Sequence, residues 1–116
     1  MRLRNILIVV NDIEKSKAFY KELFGLDVIT DFGGNVILTE GLVLQERKSW
    51  EELVGRQTIY GGHDAELFFV ENDRENFLNK LRNTSFEIVY VDEKSRESER
   101  VDSPEVVRIM TRINTS

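Results

Sequence analysis

Residues 10–20, VNDIEKSKAFY, contain the features that decide the fold. Val10 is also the last residue of a β-branched and aliphatic run, residues 3–10, and such a run is typical of a strand buried on both faces. Asn11 then predicts a helix N-cap, because Glu14 follows it at capping-box spacing. Gly25 stands where a glycine ends a helix in the left-handed conformation. The stretch therefore predicts a strand followed by an amphipathic helix.

Downstream of this helix, short apolar runs alternate with turn residues. Three strands are predicted, at residues 26–30, 36–38 and 42–44. Residues 31–35, DFGGN, have the composition of a turn between the first two. Residues 1–46 thus give the order strand, helix, strand, strand, strand. Residues 48–54 predict a further short helix that carries Trp50.

The same order restarts in the second half of the chain. A strand at 65–70 leads into a helix for which Asn72 is the predicted N-cap, with Glu75 at capping-box spacing. Strands are predicted at 86–91 and 105–110, separated by a Glu-, Ser- and Arg-rich loop at residues 92–103. A shift of 61 residues superimposes Asn11 on Asn72 and Glu14 on Glu75.

This repeat predicts an α+β fold made of two βαβββ modules in a single domain. The predicted boundaries are residues 1–54 for the first module, 55–64 for the connection and 65–116 for the second module. Two half-sheets pair their open edges to close a core. The result is a curved mixed sheet that encloses a cavity suited to a ligand.

Composition excludes several classes of function. The net charge of −5 argues against nucleic-acid binding, and no apolar run approaches the ~20 residues that a membrane-spanning helix needs. The absence of cysteine excludes disulfides and cysteine-based zinc sites. His63 is the only histidine, so one chain cannot form a multi-histidine site. The residues therefore predict a soluble, cytoplasmic protein.

Residues 10–20 also resemble the opening motif Val-x-Asp-Leu-x-x-Ser-x-x-Phe-Tyr of the glyoxalase/bleomycin-resistance/extradiol-dioxygenase (vicinal oxygen chelate) superfamily. Residues 23–26, LFGL, are similar to the usual continuation of that motif. Residues 41–46, GLVLQE, and 65–69, AELFF, resemble bacterial glyoxalase-like (lactoylglutathione lyase-like) proteins. The resemblance implies paired βαβββ modules, a ligand in the sheet cavity and a homodimer.

The resemblance also implies a set of site residues. Asn5, seven residues before Asp12, matches the first-strand ligand position, and Glu66 lies seven residues before Asp73. The 61-residue repeat independently places Asn5 and Glu66 at equivalent positions, and Glu46 lies on the fourth strand. A carboxylate pair in a low-dielectric cavity raises the pKa of at least one member. Glu46 and Glu66 are therefore the predicted catalytic acid/base residues, for proton abstraction next to a carbonyl.

No tightly bound transition metal is predicted, and no residue is assigned as a metal ligand. Metal-dependent members of the superfamily usually have His or Gln where this chain has Asn5, and Asn is a weak neutral ligand. Two carboxylates, Glu46 and Glu66, leave room only for weak binding of a hard divalent cation such as Mg²⁺.

Three functions remain open at this stage. The first is a lyase or isomerase that acts on a small carbonyl or thiol adduct. The second is a non-enzymatic protein that sequesters a drug or metabolite between dimer halves, and the third is a diverged protein without activity. Asn5 and three aromatic residues, Phe32, Trp50 and Phe68, are the predicted substrate-binding residues, and Tyr60 is a further available aromatic.

The C-terminal residues depart from the superfamily pattern. Residues 106–109, VVRI, match a final strand that usually continues Tyr-Asp-Pro-Asp-x-His, but residues 110–116 read MTRINTS. Deletion of one T from ATT TAT GAC CCG GAT AAA CAC CTC, which encodes Ile-Tyr-Asp-Pro-Asp-Lys-His-Leu, produces this tail. We therefore expect a frameshift in the gene or clone, a shortened last strand, an open sheet edge and loss of the superfamily's final carboxylate ligand.

Overall fold

The computed structural model describes residues 1–59, 66–86 and 106–110, which fall into two compact units on either side of residue 65. The first contains β1 (Ile6–Val10), α1 (Ile13–Phe24), β2 (Val28–Asp31), β3 (Asn35–Leu38), a 3₁₀ turn (Thr39–Gly41), β4 (Leu42–Glu46) and α2 (Arg47–Val54). The second contains β5 (Glu66–Val70), α3 (Arg74–Asn83) and β6 (Val106–Met110).

The four strands of the first unit form one mixed sheet in the order β1-β4-β3-β2. β1 runs parallel to β4, and β3 is antiparallel to both β4 and β2. The predicted order of strand, helix and three strands is confirmed, as is the short helix after the fourth strand. Strand bounds differ slightly: β1 begins at Ile6 rather than at residue 3, and β4 continues to Glu46.

The predicted N-caps are each wrong by one residue. Asp12 caps α1, accepting a hydrogen bond at Oδ1 from the Lys15 backbone N–H (3.0 Å). Asp73 caps α3 in the same way, with Asn76 as donor (3.0 Å). A carboxylate accepts this bond with a full negative charge near the positive end of the helix, which favours Asp over the preceding Asn. The two caps are still 61 residues apart, as the repeat requires.

Alternate residues of the sheet form one wholly buried face, here called the core face. Its members are 0–8 % exposed: Ile8, Val10, Val36, Leu38, Leu42 and Leu44. The helix α1 contacts β4 and contributes buried Ser16, Tyr20 and Leu23. Burial raises the pKa of Tyr20 to about 12, so its phenol is neutral in this core.

The second unit pairs β5 with β6 in antiparallel register, from Glu66 opposite Met110 to Val70 opposite Val106. The helix α3 buries Phe77 and Leu78. β5 and β6 confirm the strands predicted at 65–70 and 105–110. The predicted loop at 92–103, most of the strand at 86–91, the second half of the 55–64 connection and the tail at 111–116 lie outside the described residues.

Candidate functional site

The face of the first sheet opposite the core face carries two rows of side chains and is here called the amide face. Its first row is Asn35, Gln45 and Val9, which are register partners on β3, β4 and β1. Its second row is Ile37, Val43 and Leu7, aligned in the same way. Because strand side chains alternate between faces, these six residues share one side of the sheet. None of the six is charged.

A chain of hydrogen bonds, here called the amide row, runs from β3 across β4 to α2. Asn35 Nδ2 donates to Gln45 Oε1 (2.7 Å), and Gln45 Nε2 donates to Ser49 Oγ (2.8 Å). Ser49 Oγ in turn donates to the backbone carbonyl of Glu46 (3.0 Å). All three side chains are half-buried. The row is therefore a fixed arrangement of neutral donors and acceptors rather than a set of freely moving surface groups.

The turn between β2 and β3 holds one end of the amide row. Asp31 Oδ1 accepts from the Gly33 N–H (2.8 Å), and the Phe32 N–H donates to the Asn35 carbonyl (2.8 Å). The Gly34 carbonyl accepts from the backbone N–H at the end of β4 (2.7 Å). Lys17 on α1 also binds Asp31 (2.7 Å), and this contact lowers the pKa of the Asp31 carboxyl. These contacts restrict how Asn35 can move.

The helix α2 holds the other end of the row. Glu46 is its N-cap, and Oε1 of its carboxylate accepts from the Ser49 backbone N–H (3.3 Å). A Cβ at Gly34 would lie 3.3 Å from Ser49 Oγ and 3.7 Å from Glu46 Oε2. The absence of a side chain at Gly34 therefore lets the first turn of α2 approach the β2–β3 turn.

Hydrogen bonds to the Glu51 carboxylate hold the segment that follows α2 against this helix. Glu51 Oε2 accepts from both the backbone N–H and the hydroxyl of Thr58 (2.7 and 2.8 Å), and from Arg47 Nε (3.3 Å). The two bonds from Thr58, followed by that from Arg47, lower the pKa of the Glu51 carboxyl. Arg47 also donates to Asn11 Oδ1 after β1 (3.3 Å).

The structure places three of the predicted site residues at one end of the first sheet. Phe32 lies in the β2–β3 turn and is 70 % exposed. Glu46 ends β4, and half-buried Trp50 lies in the first turn of α2, next to Ser49. These three residues therefore lie at the end of the sheet that carries the amide row.

Asn5 is not brought to that end. Its Oδ1 lies 3.7 Å from the position of a Cβ on Gly41, just before β4 begins. Five residues of extended strand, about 16 Å, separate Gly41 from Glu46. Asn5 and Glu46 therefore flank opposite ends of the parallel β1–β4 pair, and Leu7 and Val9 of the amide face lie between these ends along β1.

Two further predicted site residues belong to the second unit. Glu66 and Phe68 lie on β5, where the backbone register is described but their side chains are not. Tyr60 and His63 lie outside the described residues. The expected convergence of Asn5, Glu46 and Glu66 on one cavity therefore stays a prediction.

Sequence patterns did not predict the residues of the amide row: Asn35, Gln45 and Ser49. A signal for Gln45 was available in LVLQE (residues 42–46), because a strand with Leu42 and Leu44 in the core turns Gln45 to the other face. Asn35 belongs to the amide row only because Gln45 is its register partner on the neighbouring strand. That pairing follows from the β2–β3 turn and cannot be inferred from residue types alone.

The described residues do not fit a transition-metal site. They contain no cluster of three or more histidine, cysteine, aspartate or glutamate side chains that could hold a metal ion. The amide face instead offers neutral amides, which bind zinc, nickel or iron poorly compared with imidazole, thiolate or carboxylate. Over the same ranges, no helix has the length and apolar character needed to cross a membrane.

The family model of the glyoxalase-like domain matches residues 3–103, which is most of the chain. A search of curated proteins gave no match. Among solved structures, the chain is similar to a protein of unknown function from Agrobacterium tumefaciens str. C58, with 37 % identity and a TM-score of 0.46. That match covers 51 % of this chain and 47 % of the other, about half of each.

Proposed function

Because the chain belongs to the glyoxalase-like domain family, we propose that it binds a small molecule on the amide face and sequesters it without chemical change. The observation that carries this proposal is the hydrogen-bonded row of Asn35, Gln45 and Ser49 beside an apolar row. Ligand sites are usually apolar surfaces with a few fixed polar groups that orient the ligand.

The chemistry of the face favours binding over catalysis. General acid/base catalysis needs a side chain that takes up or releases a proton near the working pH. Neither the amides of Asn35 and Gln45 nor the hydroxyl of Ser49 does so. The Glu46 carboxylate, which lies at this end of the sheet, already accepts a hydrogen bond as the N-cap of α2.

A lyase or isomerase acting on a small carbonyl or thiol adduct is the second candidate. It is favoured by one observation: Glu46 is a half-buried carboxylate at the sheet end that also holds Phe32 and Trp50. In this candidate Glu46 and Glu66 share the proton transfer, while Asn5, Phe32, Trp50 and Phe68 contact the substrate. A divalent cation held weakly by the two carboxylates would stabilise a developing enolate oxygen.

The two candidates differ in turnover. We expect the full chain to leave the hemithioacetal of methylglyoxal and glutathione unchanged above the uncatalysed rate, with and without added Mg²⁺. Turnover that is lost in Glu46→Gln and in Glu66→Gln but kept in Glu52→Gln would establish the lyase candidate instead. Glu52 is a suitable control because it is an exposed carboxylate on the same helix as the Glu46 cap.

Binding itself is tested with an apolar probe. Toluene added to methyl-labelled protein should shift the methyl signals of Leu7, Val9 and Ile37 on the amide face. The signals of Val36 and Leu44, which are 0 % exposed on the core face, should stay in place. Absence of any shift on the amide face, up to the solubility limit of toluene, would contradict the binding proposal.

We also propose that the protein works as a cytoplasmic homodimer. The outer strand β2 and the turn after it expose three large apolar side chains: Val28 (45 %), Ile29 (63 %) and Phe32 (70 %). A second copy of the chain would remove this apolar surface from water. Sedimentation at micromolar concentration should give the dimer mass, and Ile29→Lys should shift the chain towards monomer. A wild-type protein that sediments only as a monomer would contradict the proposal.

A further inference from the structure

We infer that the amide face selects an uncharged ligand with an amide-type head group, in which a carbonyl and an N–H lie side by side, over the matching carboxylate. The inference rests on the proposed function, since it names the class of ligand for the same site. It goes further in predicting a preference between two molecules of almost identical shape.

The direction of every hydrogen bond in the row is fixed from the helix end. Ser49 Oγ donates its single proton to the Glu46 carbonyl (3.0 Å), so towards Gln45 it can only accept. Gln45 must therefore present Nε2 to Ser49 (2.8 Å) and Oε1 to Asn35. Asn35 in turn must present Nδ2 to Gln45 (2.7 Å). The donor and the acceptor of each hydrogen bond in the row, from α2 to β3, are thus determined by the hydrogen bond that Ser49 donates in the first turn of α2.

This polarity leaves a defined pair of groups for a ligand. Each amide uses one of its two N–H bonds within the row, so Asn35 and Gln45 each retain a second donor. Among the hydrogen bonds of the described residues, Asn35 Oδ1 accepts none. The Asn35 end of the row therefore offers an acceptor next to donors. An amide group, with one carbonyl and one N–H edge, complements both.

A carboxylate complements only half of this arrangement. It has acceptors but no donor, so one of its oxygens would face Asn35 Oδ1 without a proton between them. It would also bring a charge onto a face whose six side chains are all neutral. Removing an ion from water without a partner charge is costly. Arg47, at the start of α2, already donates to Asn11 and Glu51.

The apolar row supplies the other half of the site. Ile37, Val43 and Leu7 lie directly beside the amide row in the sheet register. Val43, in the middle of the row, is 6 % exposed, while Ile37 is half-buried and Leu7 is 36 % exposed. A planar or aliphatic body lying along these side chains would keep its head group at the Asn35 end. The ligand is therefore expected to be amphipathic, with one polar end.

The test uses the full chain and three probes of nearly equal size: benzamide, benzoate and toluene. Side-chain NH₂ signals of Asn35 and Gln45 report on the amide row, and methyl signals of Leu7 and Ile37 report on the apolar row. We expect benzamide to shift both sets and to bind at least about fivefold more tightly than benzoate. Toluene should shift the methyl signals alone.

The outcomes separate this inference from the function on which it rests. Equal affinity for benzamide and benzoate, with methyl shifts from toluene, would overturn the amide preference and leave the binding function intact. No shift with any of the three probes would overturn the binding function itself. The comparison is made on the wild-type chain, so it does not depend on whether a variant folds.

A matched pair of variants adds a second measurement. Gln45→Glu keeps the shape of the side chain and puts a carboxylate into the row, so the preference for benzamide over benzoate should rise above the wild-type value because the new carboxylate repels benzoate. Gln57→Glu makes the same change at an exposed position and should leave the preference as it is in the wild type. A preference that stays at the wild-type value in Gln45→Glu would contradict the assignment of the amide row.

Discussion

The two faces of the first sheet are built from the same strands but serve different purposes. On the core face, six aliphatic side chains are 0–8 % exposed, and α1 contacts β4. On the amide face, two uncharged amides share the surface with aliphatic residues, most of them half-buried. The core face therefore supplies most of the stability, while the amide face keeps polar groups in fixed positions.

The polar groups of the amide face need an explanation that stability does not provide. A buried or half-buried hydrogen bond contributes only about 1 kcal/mol net, because each group gives up a bond to water. Aliphatic residues at positions 35 and 45 would stabilise the sheet by a similar amount through burial. Retaining Asn35 and Gln45 is thus understandable if they recognise a ligand.

Leu44→Ala should have the largest effect on stability, since it opens a cavity in the core face. Leu44 is 0 % exposed, and such truncations lower the free energy of unfolding by about 2–5 kcal/mol. Leu7→Ala makes the same change on the amide face, where Leu7 is 36 % exposed, and should cost less than about 1 kcal/mol. Urea unfolding of both variants measures the difference, and equal losses would contradict the division between the faces.

The two faces also depend on the register of β1 against β4, which Gly41 secures. Gly41 has φ of +78°, and a Cβ there would lie 2.9 Å from the Arg4 carbonyl oxygen. Gly33 has φ of +85° but no atom within 4 Å of its Cβ position. Gly41→Ala should therefore cost about 2 kcal/mol more than Gly33→Ala, because only the former adds a clash to the backbone strain. Equal costs in thermal or urea unfolding would show that the β1–β4 approach is not tight.

The core face could be predicted from the sequence to a greater extent than the amide face. The buried runs, the helix and its Gly25 end were all predictable, because periodicity and capping act within a few residues. The core face follows from the same alternation. The predicted N-cap of α1 is one residue too early, because Asn11 and Asp12 are both good capping residues. Which of the two caps the helix depends on where β1 ends.

The amide face was less predictable because it is defined by pairing between strands distant in sequence. The family resemblance points to Glu46 on the fourth strand as a site residue and does not point to Gln45. The strand continues to Glu46, however, and that carboxylate caps α2 while the neighbouring Gln45 joins the amide row. A sequence pattern does not show which of two adjacent polar residues becomes the N-cap of a helix.

Placing an aliphatic residue on the amide face should affect stability less than either change above. Gln45→Leu removes two hydrogen bonds but adds apolar surface, so the free energy of unfolding should change by about 1 kcal/mol or less. Benzamide should lose its advantage over benzoate in this variant. The reverse exchange, Leu44→Gln, places an amide in the core face and should destabilise strongly. A large loss of stability from Gln45→Leu would indicate a structural rather than a recognition role for the row.

The smallest expected effect concerns the helix that ends the amide row. Glu51 holds the segment after α2 through the N–H and hydroxyl of Thr58, and these bonds lower the pKa of its carboxyl below the ordinary value of 4.5. A lowered folded-state pKa means that the carboxylate stabilises the protein above pH 4.5 and that this contribution disappears as the pH falls through the folded-state pKa.

Glu51→Gln should therefore increase hydrogen exchange at the Thr58 amide at neutral pH. The difference from the wild type should shrink as the pH falls through the lowered folded-state pKa, because the wild-type carboxyl then becomes neutral, like the glutamine. Glu52→Gln, the exposed neighbour, should leave that exchange unchanged at either pH. If the difference at Thr58 were instead the same at every pH, the Glu51 contact would not depend on the charge of its carboxyl.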